Sequence, residues 1–355
     1  MFRRASTVLV FLLAAGTLAG ACGDSAAPVT EPPVIDAALP PDADPGPDTT
    51  GEKFSVNIGP ISVAPGHEDT MCVEKRLGNL DHKWIGKLHT HLHGVSHHVI
   101  VYRVSSSTES PEPFPCVPFV DTLDPSKGTP IMVTQVHEET LDFPYGVALG
   151  IDPDQMVRVE MHFINTTDEP ATVDAQAEFE VLPDAQFENE VGFLFIGNPD
   201  IDLPAGQEVT LGPTFFPMPE ELEGVKIFAM TGHEHQFGTN VQVEWVDQRD
   251  DPGMPVYDYP SWNWAEPQVA QFKPALDMTP GSGFNFTCKW KNTSGRRVQF
   301  GESATDEMCF FWAYYYPNKG AKVCAHTERF GAPINICCPG TDTLCDELLQ
   351  QFGGH

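Results

Sequence analysis

Four places in this 355-residue chain gather side chains that bind soft or borderline metal ions. His97 and His98 are adjacent within GVSHHVIVYR. Neighbours in a regular strand face opposite sides, so this pair can share one ion only at a strand edge or bulge. The plain alternative is one solvent-facing histidine and one buried histidine bonded to backbone. His162 lies in VRVEMHFIN, where Val157, Val159, Met161 and Phe163 form one face and Arg158, Glu160 and His162 the other. It leaves the apolar side, as a ligand lining a cleft does, although lone surface histidines are common. In His233-Glu234-His235 a spacing of two puts both imidazoles on one side of a strand, with Cα atoms about 6.6 Å apart. That arrangement brackets one ion; the alternative is a pair of exposed histidines before a turn at Gly238. Met308 alternates with Phe310, Trp312 and Tyr314, a face that ordinarily reads as packed core. A thioether is a poor ligand for zinc and a good one for Cu(I), so Met308 matters only if the histidines bind copper.

A fifth cluster, His89-Thr90-His91-Leu92-His93, places three histidines on one strand face and raises the possibility of an extra metal site; exposed histidines are the commoner outcome. His67, His82, His137, His326 and His355 receive no role. Apart from Cys22, eight cysteines remain: Cys72, Cys116, Cys288, Cys309, Cys324, Cys337, Cys338 and Cys345. None has the paired CxxC spacing of a zinc knuckle, and an even set in an exported chain indicates disulfides. Among the last four, an adjacent Cys337–Cys338 bond is strained, which leaves two pairings.

The elements that must position these groups read as β. Val95–Val104, Met156–Ile164, Val173–Val181, Val191–Ile196, Val225–Met230, Val241–Val246 and Cys309–Tyr316 are short and rich in Val, Ile, Phe and Tyr. Gly, Pro, Asn and Asp separate them at turn-like spacing. Only Asp346–Phe352 has a weak helical pattern, and no internal repeat stands out. The expected fold is all-β, two antiparallel jelly-roll-like sandwiches packed side by side. A polar break at Pro183–Asn189 divides them, giving domains at 53–185 and 186–335 and a cysteine-containing tail at 336–355.

The formal net charge of −30 argues against a nucleic-acid partner and against charge-driven binding to anionic membranes. Arg3 and Arg4 precede a 14-residue apolar run, Val8–Ala21, too short to span a bilayer, which takes about 20 helical residues. With small residues leading into Cys22, residues 1–22 are similar to a bacterial lipoprotein signal whose Cys22 becomes the lipidated N-terminus. Residues 23–52 hold seven prolines, block helix and sheet, and form a disordered tether. The expected location is the bacterial cell envelope, with the membrane engaged only through the lipid.

The order HH, then H in a strand, then HxH, then DEMC resembles the copper type II, ascorbate-dependent monooxygenases. DTMCVEKRL, SHHVIVYR, YGVALG with VEMHFIN, TGHEHQFG and GESATDEMCFFWAYYYP carry the resemblance, from roughly Asp69 to Cys324. It implies that His97, His98 and His162 hold an electron-transferring copper in the N-terminal domain. His233, His235 and Met308 would hold the oxygen-binding, catalytic copper in the C-terminal domain. It further implies two sandwiches facing each other across a solvent-filled cleft, and disulfides Cys72–Cys116 and Cys288–Cys309, the second fixing the strand that presents Met308. The implied activity is hydroxylation of a substrate C–H bond with O₂ and a one-electron donor such as ascorbate.

Peptide-hydroxylating members of that family carry an Arg two residues before the HxH pair, an Asn two after the ligand Met and a Tyr four after it. Here those positions are Thr231, Phe310 and Trp312, which removes the carboxylate anchor. The expected substrate is instead a small neutral or aromatic molecule in a pocket walled by Phe310, Trp312 and Tyr314. Competing readings are an exported copper-binding lipoprotein without turnover, a zinc hydrolase with Glu234 as base, and a purely structural sandwich. Glu234 lies between the HxH ligands and should point away from their ion on a regular strand.

Overall fold

The computed structural model describes residues 46–116, 129–301, 303, 305–338 and 345. The leader of residues 1–22 with Cys22, the tether as far as residue 45 and the Asp346–Phe352 segment lie outside the described residues. The named elements are strands and two three-residue 3₁₀ turns, so the protein is all-β. Each segment read as a strand falls in an observed one, with ends shifted by a few residues. Ala171–Leu182 shows why: Val173, Ala175, Ala177, Phe179 and Val181 are buried, while Asp174, Gln176, Glu178 and Glu180 alternate with them on the wetter side.

The first half of the chain forms two sheets. One runs in the order Lys53–Val63, Ala171–Leu182, Lys83–His93, Val147–Ile151, Asn189–Glu190, with Glu138–Asp142 also paired to Lys83–His93. The other runs Ser110–Pro115, Glu68–Arg76, Met156–Ile164, Ser96–Arg103, Thr129–Thr134. Gly94 turns the chain from the first sheet into the second at φ +73°, where a Cβ would lie 1.9 Å from the Thr172 carbonyl oxygen. Only glycine fits that corner, and it sets where His97 and His98 begin.

The second half has a six-stranded sheet in the order Val269–Asp277, Lys226–His233, Phe310–Tyr316, Gly192–Gly197, Lys322–Thr327, Ile334–Cys338. A four-stranded sheet (Glu208–Pro217, Gly283–Lys291, Gly238–Val246, Met254–Asp258) accompanies it. Pairing is mostly antiparallel, but Asn189–Glu190 joins Val147–Ala148 in parallel, and Gly192–Gly197 pairs in parallel with Lys322–Thr327.

The Phe310–Tyr316 strand is buried on both faces, which its unbroken apolar sequence could not resolve into an inside and an outside. Phe311, Ala313 and Tyr315 enter the second half's own core with Ile227, Phe284 and Phe286. Met308, Phe310, Trp312 and Tyr314 enter a core shared with Val99, Ile131 and Val133 of the first half. Four disulfides brace the described residues: Cys72–Cys116, Cys288–Cys309, Cys324–Cys337 and Cys338–Cys345. Cys288–Cys309 ties the two sheets of the second half together next to Met308. Cys324 and Cys337 are direct cross-strand partners, so register selects that pairing. Four bridges of this kind mark a chain folded in an oxidising compartment.

Candidate metal centre

His97 and His98 sit at the start of the Ser96–Arg103 strand, where its pairing with Met156–Ile164 shifts between Ser96 and His98. This irregularity removes the ordinary alternation at His97 and lets adjacent residues turn to one side. His98 is paired directly with His162. The three rings stand together, with centroids 5.2 Å (His97–His98), 5.5 Å (His97–His162) and 5.0 Å (His98–His162) apart. One ring nitrogen from each lies within 4.8 Å of the other two.

His233 ends the Lys226–His233 strand and His235 follows in the turn, with ring centroids 5.0 Å apart and planes nearly perpendicular. His233 pairs with Phe310, and its ring lies 5.4 Å from Trp312, so it occupies the strand face that Met308 also shares. Glu307 organises the turn. Its carboxylate accepts the backbone N–H of His235 (2.9 Å), that of Phe237 (2.7 Å) and the Trp290 indole N–H (2.9 Å). Burial pushes the Glu307 carboxyl up to about 7. Glu234, just past the end of that strand, turns away from the imidazoles and accepts the Lys289 N–H at 3.0 Å. Its carboxyl is held well above the usual range by burial first and by the neighbouring Glu307 second. A group so committed is no general base at the histidines, which removes the structural basis of the hydrolase reading.

The resemblance implies ligand sets separated by a solvent-filled cleft, and here the structure differs. His97 lies 5.9 Å from His233 and 6.2 Å from His235 between ring centroids, and His98 lies 5.8 Å from His233. Nitrogens of His97, His233 and His235 form a second group within 4.8 Å, so His97 belongs to both groups. The physical reason is the shared core. Tyr314 of the second half accepts the Val133 N–H of the first at 3.0 Å, and Ser303 donates to Glu68 at 3.4 Å. Gln135 clasps the second half twice, donating to the Gly232 carbonyl at 3.0 Å and accepting from His233 Nδ1. Phe310, Trp312 and Tyr314, expected to wall a substrate pocket, are instead buried within that packed contact. Tyr314 also borders a recess, with Arg103, Ile131 and Phe193.

All five histidines are buried, none more than 3% exposed. Burial, reinforced by the neighbouring imidazoles, holds His97, His98 and His233 well below the usual imidazole range and brings His235 down to about 4. The rings of His97, His98, His233 and His235 are therefore neutral near pH 7, the form that binds metal. Both ring nitrogens of His97 and Nδ1 of His162 are buried without a hydrogen-bond partner. Leaving such atoms unsatisfied costs about 1–3 kcal/mol each, and a bound ion removes that cost. His162 Nε2 meets Glu68 Oε1 at 3.0 Å, the carboxylate–histidine arrangement that leaves Nδ1 as the ligand atom. The donor set therefore fits a metal of borderline-to-soft character, with His97 common to both groups.

Glu68, Gln135, Glu307 and Trp264, whose ring stands 5.0 Å from His97, were not singled out from sequence. Of these only Glu307 carried a signal, an acid directly before an apolar run. His89 and His91 lie elsewhere, on the outward face of the first sheet. His137 bonds to the Leu92 carbonyl and Glu266, and His326 to Asn335.

Residues 195–331 match the C-terminal domain of copper type II ascorbate-dependent monooxygenases. Tyramine beta-hydroxylase of Caenorhabditis briggsae is 34% identical over 115 residues, 30% of this chain and 18% of that protein, so the match spans under a fifth of the relative. Two solved structures show a distant likeness. PNGase F, a glycosylasparaginase from Flavobacterium meningosepticum, is 9% identical with a TM-score of 0.38 over 80% of this chain and 99% of that one. The cowpea mosaic virus empty particle is 8% identical with a TM-score of 0.30 over 77% of this chain and 90% of that one.

Proposed function

From the match of residues 195–331 to the C-terminal domain of copper type II, ascorbate-dependent monooxygenases, we infer an exported enzyme of that family that hydroxylates a C–H bond of a small aromatic or neutral molecule. O₂ is the oxidant, and ascorbate or another one-electron donor supplies electrons. His97, His98 and His162 would hold one copper ion, and His233, His235 and Met308 the other. Copper bound at these sets supplies one-electron redox chemistry and O₂ activation.

The chain's own residues do the positioning. Glu68 accepts the His162 Nε2 proton and directs Nδ1 to the ion. Gln135, its amide oriented by the Gly232 carbonyl, takes the His233 Nδ1 proton and so selects the tautomer with the lone pair on Nε2. Glu307 fixes the backbone that carries His235. The thioether of Met308 biases its set toward Cu(I). With five buried histidines, access for substrate would require an opening between the two halves along the face of Phe310, Trp312 and Tyr314. That movement would uncover an aromatic wall. The aromatic class also draws on the relative whose name gives tyramine as its substrate. Residues 1–22 support lipid anchoring at Cys22 in a bacterial envelope, with no nucleic-acid partner.

The observation carrying this reading is the gathering of five buried imidazoles into two groups that share His97, with unbonded ring nitrogens on His97 and His162. Metal analysis of the purified protein tests it. Two copper ions should occupy the buried histidines, with one lost in His162→Ala and one in Met308→Ala. Copper content unchanged in both variants would refute the assignment. The same burial favours a second reading, copper retention without turnover. Ascorbate-dependent O₂ consumption across a panel of small aromatic substrates decides between the two.

A further inference from the structure

On the outward face of the Lys83–His93 strand, opposite the buried Leu88, Thr90 and Leu92, His89 and His91 turn their Nε2 atoms toward each other at 2.7 Å. The neighbouring Glu138–Asp142 strand is in register with them: His91 pairs with Glu138 and His89 with Thr140. Glu138 Oε1 lies 3.9 Å from His89 Nε2, and the three ligand atoms fall within 4.8 Å of one another. Thr140 Oγ1 meets His89 Nδ1 at 2.7 Å. When that Nδ1–H donates to the threonine, the His89 lone pair is on Nε2, facing His91. We propose that His89, His91 and Glu138 form a third metal site, one that takes a single divalent copper ion at the surface.

The chemistry selects the ion. Two imidazoles and one carboxylate are borderline donors, suited to copper or zinc and not to magnesium or calcium. Two nitrogens each about 2.0 Å from one ion stand about 2.9 Å apart at a right angle and about 3.3 Å apart in a tetrahedron. The 2.7 Å between the two Nε2 atoms is a hydrogen bond, so the rings need part by only a few tenths of an ångström to admit an ion, and of the two metals Cu(II) binds nitrogen and oxygen donors more tightly than zinc. Binding needs no net proton loss. His91 moves its proton from Nε2 to Nδ1, and both Nε2 lone pairs then face the ion. Asp174, already on His93 Nδ1 at 2.9 Å, and Glu178, paired with His89 across the sheet, add negative charge beside the site. The site shares no ligand with the buried histidines.

Titration of Cu(II) into the full chain, read by calorimetry and by the electron paramagnetic resonance of Cu(II), tests the proposal. The unaltered protein should take up one more equivalent than the His89→Ala/His91→Ala double variant, while His162→Ala retains that equivalent. This last arm separates failure of the surface site from failure of the buried one. Thr140→Val should weaken the surface site about 10- to 100-fold by releasing His89. Glu138→Gln, on an exposed side chain that the fold does not need, should change the resonance of that one copper. Equal uptake by the unaltered chain and the double variant, or a resonance indifferent to Glu138→Gln, would overturn it.

Discussion

His233-Glu234-His235 and His89-Thr90-His91 share one spacing and one strand habit, yet the molecule treats them oppositely. The first pair is fully buried, perpendicular, and gripped by a glutamine from the other half of the chain. The second is partly exposed on an outer sheet face, its rings 4.4 Å apart, held by each other and by a threonine hydroxyl and facing a carboxylate. Spacing decides that two imidazoles share a side. Burial and the partners of the remaining nitrogens decide whether that side is an enclosed redox centre or an open binding patch.

The comparison can be broken most forcefully at the shared core. Trp312→Ala should cost about 3–5 kcal/mol of stability by urea unfolding, because it empties the contact that buries the first pair. A loss below 1 kcal/mol would mean that the two halves do not rest on this face. Next is Glu307→Ala, which leaves the buried N–H groups of His235, Phe237 and Trp290 without their acceptor. A loss of about 3 kcal/mol is expected, together with weaker copper retention at the His233 set. Gln135→Leu removes the acceptor of the His233 ring proton while leaving every ligand in place. It should lower copper affinity of that set by about 10- to 100-fold in competition with a chelator, leaving the His162 set unchanged. The smallest effect belongs to the surface pair: His91→Ala should shift unfolding by no more than about 0.5 kcal/mol. A large destabilisation there would show that the outer histidines are structural and dissolve the contrast.

Much of this arrangement was legible in the residues themselves. Alternation located the strands because polar and apolar side chains really do face different media, as in Ala171–Leu182. The adjacency of His97 and His98 required an irregular strand, and the register shift lies there. Glu234 points away from the imidazoles as expected, although it lies just past the strand end and is held there by the Lys289 N–H. What escaped was everything decided between the halves. Phe310–Tyr316 is apolar on both faces, so local pattern could not show that one face meets the other half instead of a substrate. Glu68 and Gln135 look like ordinary polar residues near strand ends, and only tertiary packing places them on His162 and His233. The choice of Cys324–Cys337 over the alternatives came from cross-strand register, which cysteine counting does not contain.

The central claim is that a thioether and five buried imidazoles hold copper in two sets. X-ray absorption at the copper edge of the ascorbate-reduced protein tests it most directly, since every described cysteine is in a disulfide and Met308 is the sulfur assigned to the metal. A copper–sulfur scattering shell should appear and vanish in Met308→Ala while the imidazole shells persist. A spectrum with nitrogen shells alone, the same in both proteins, would contradict the account.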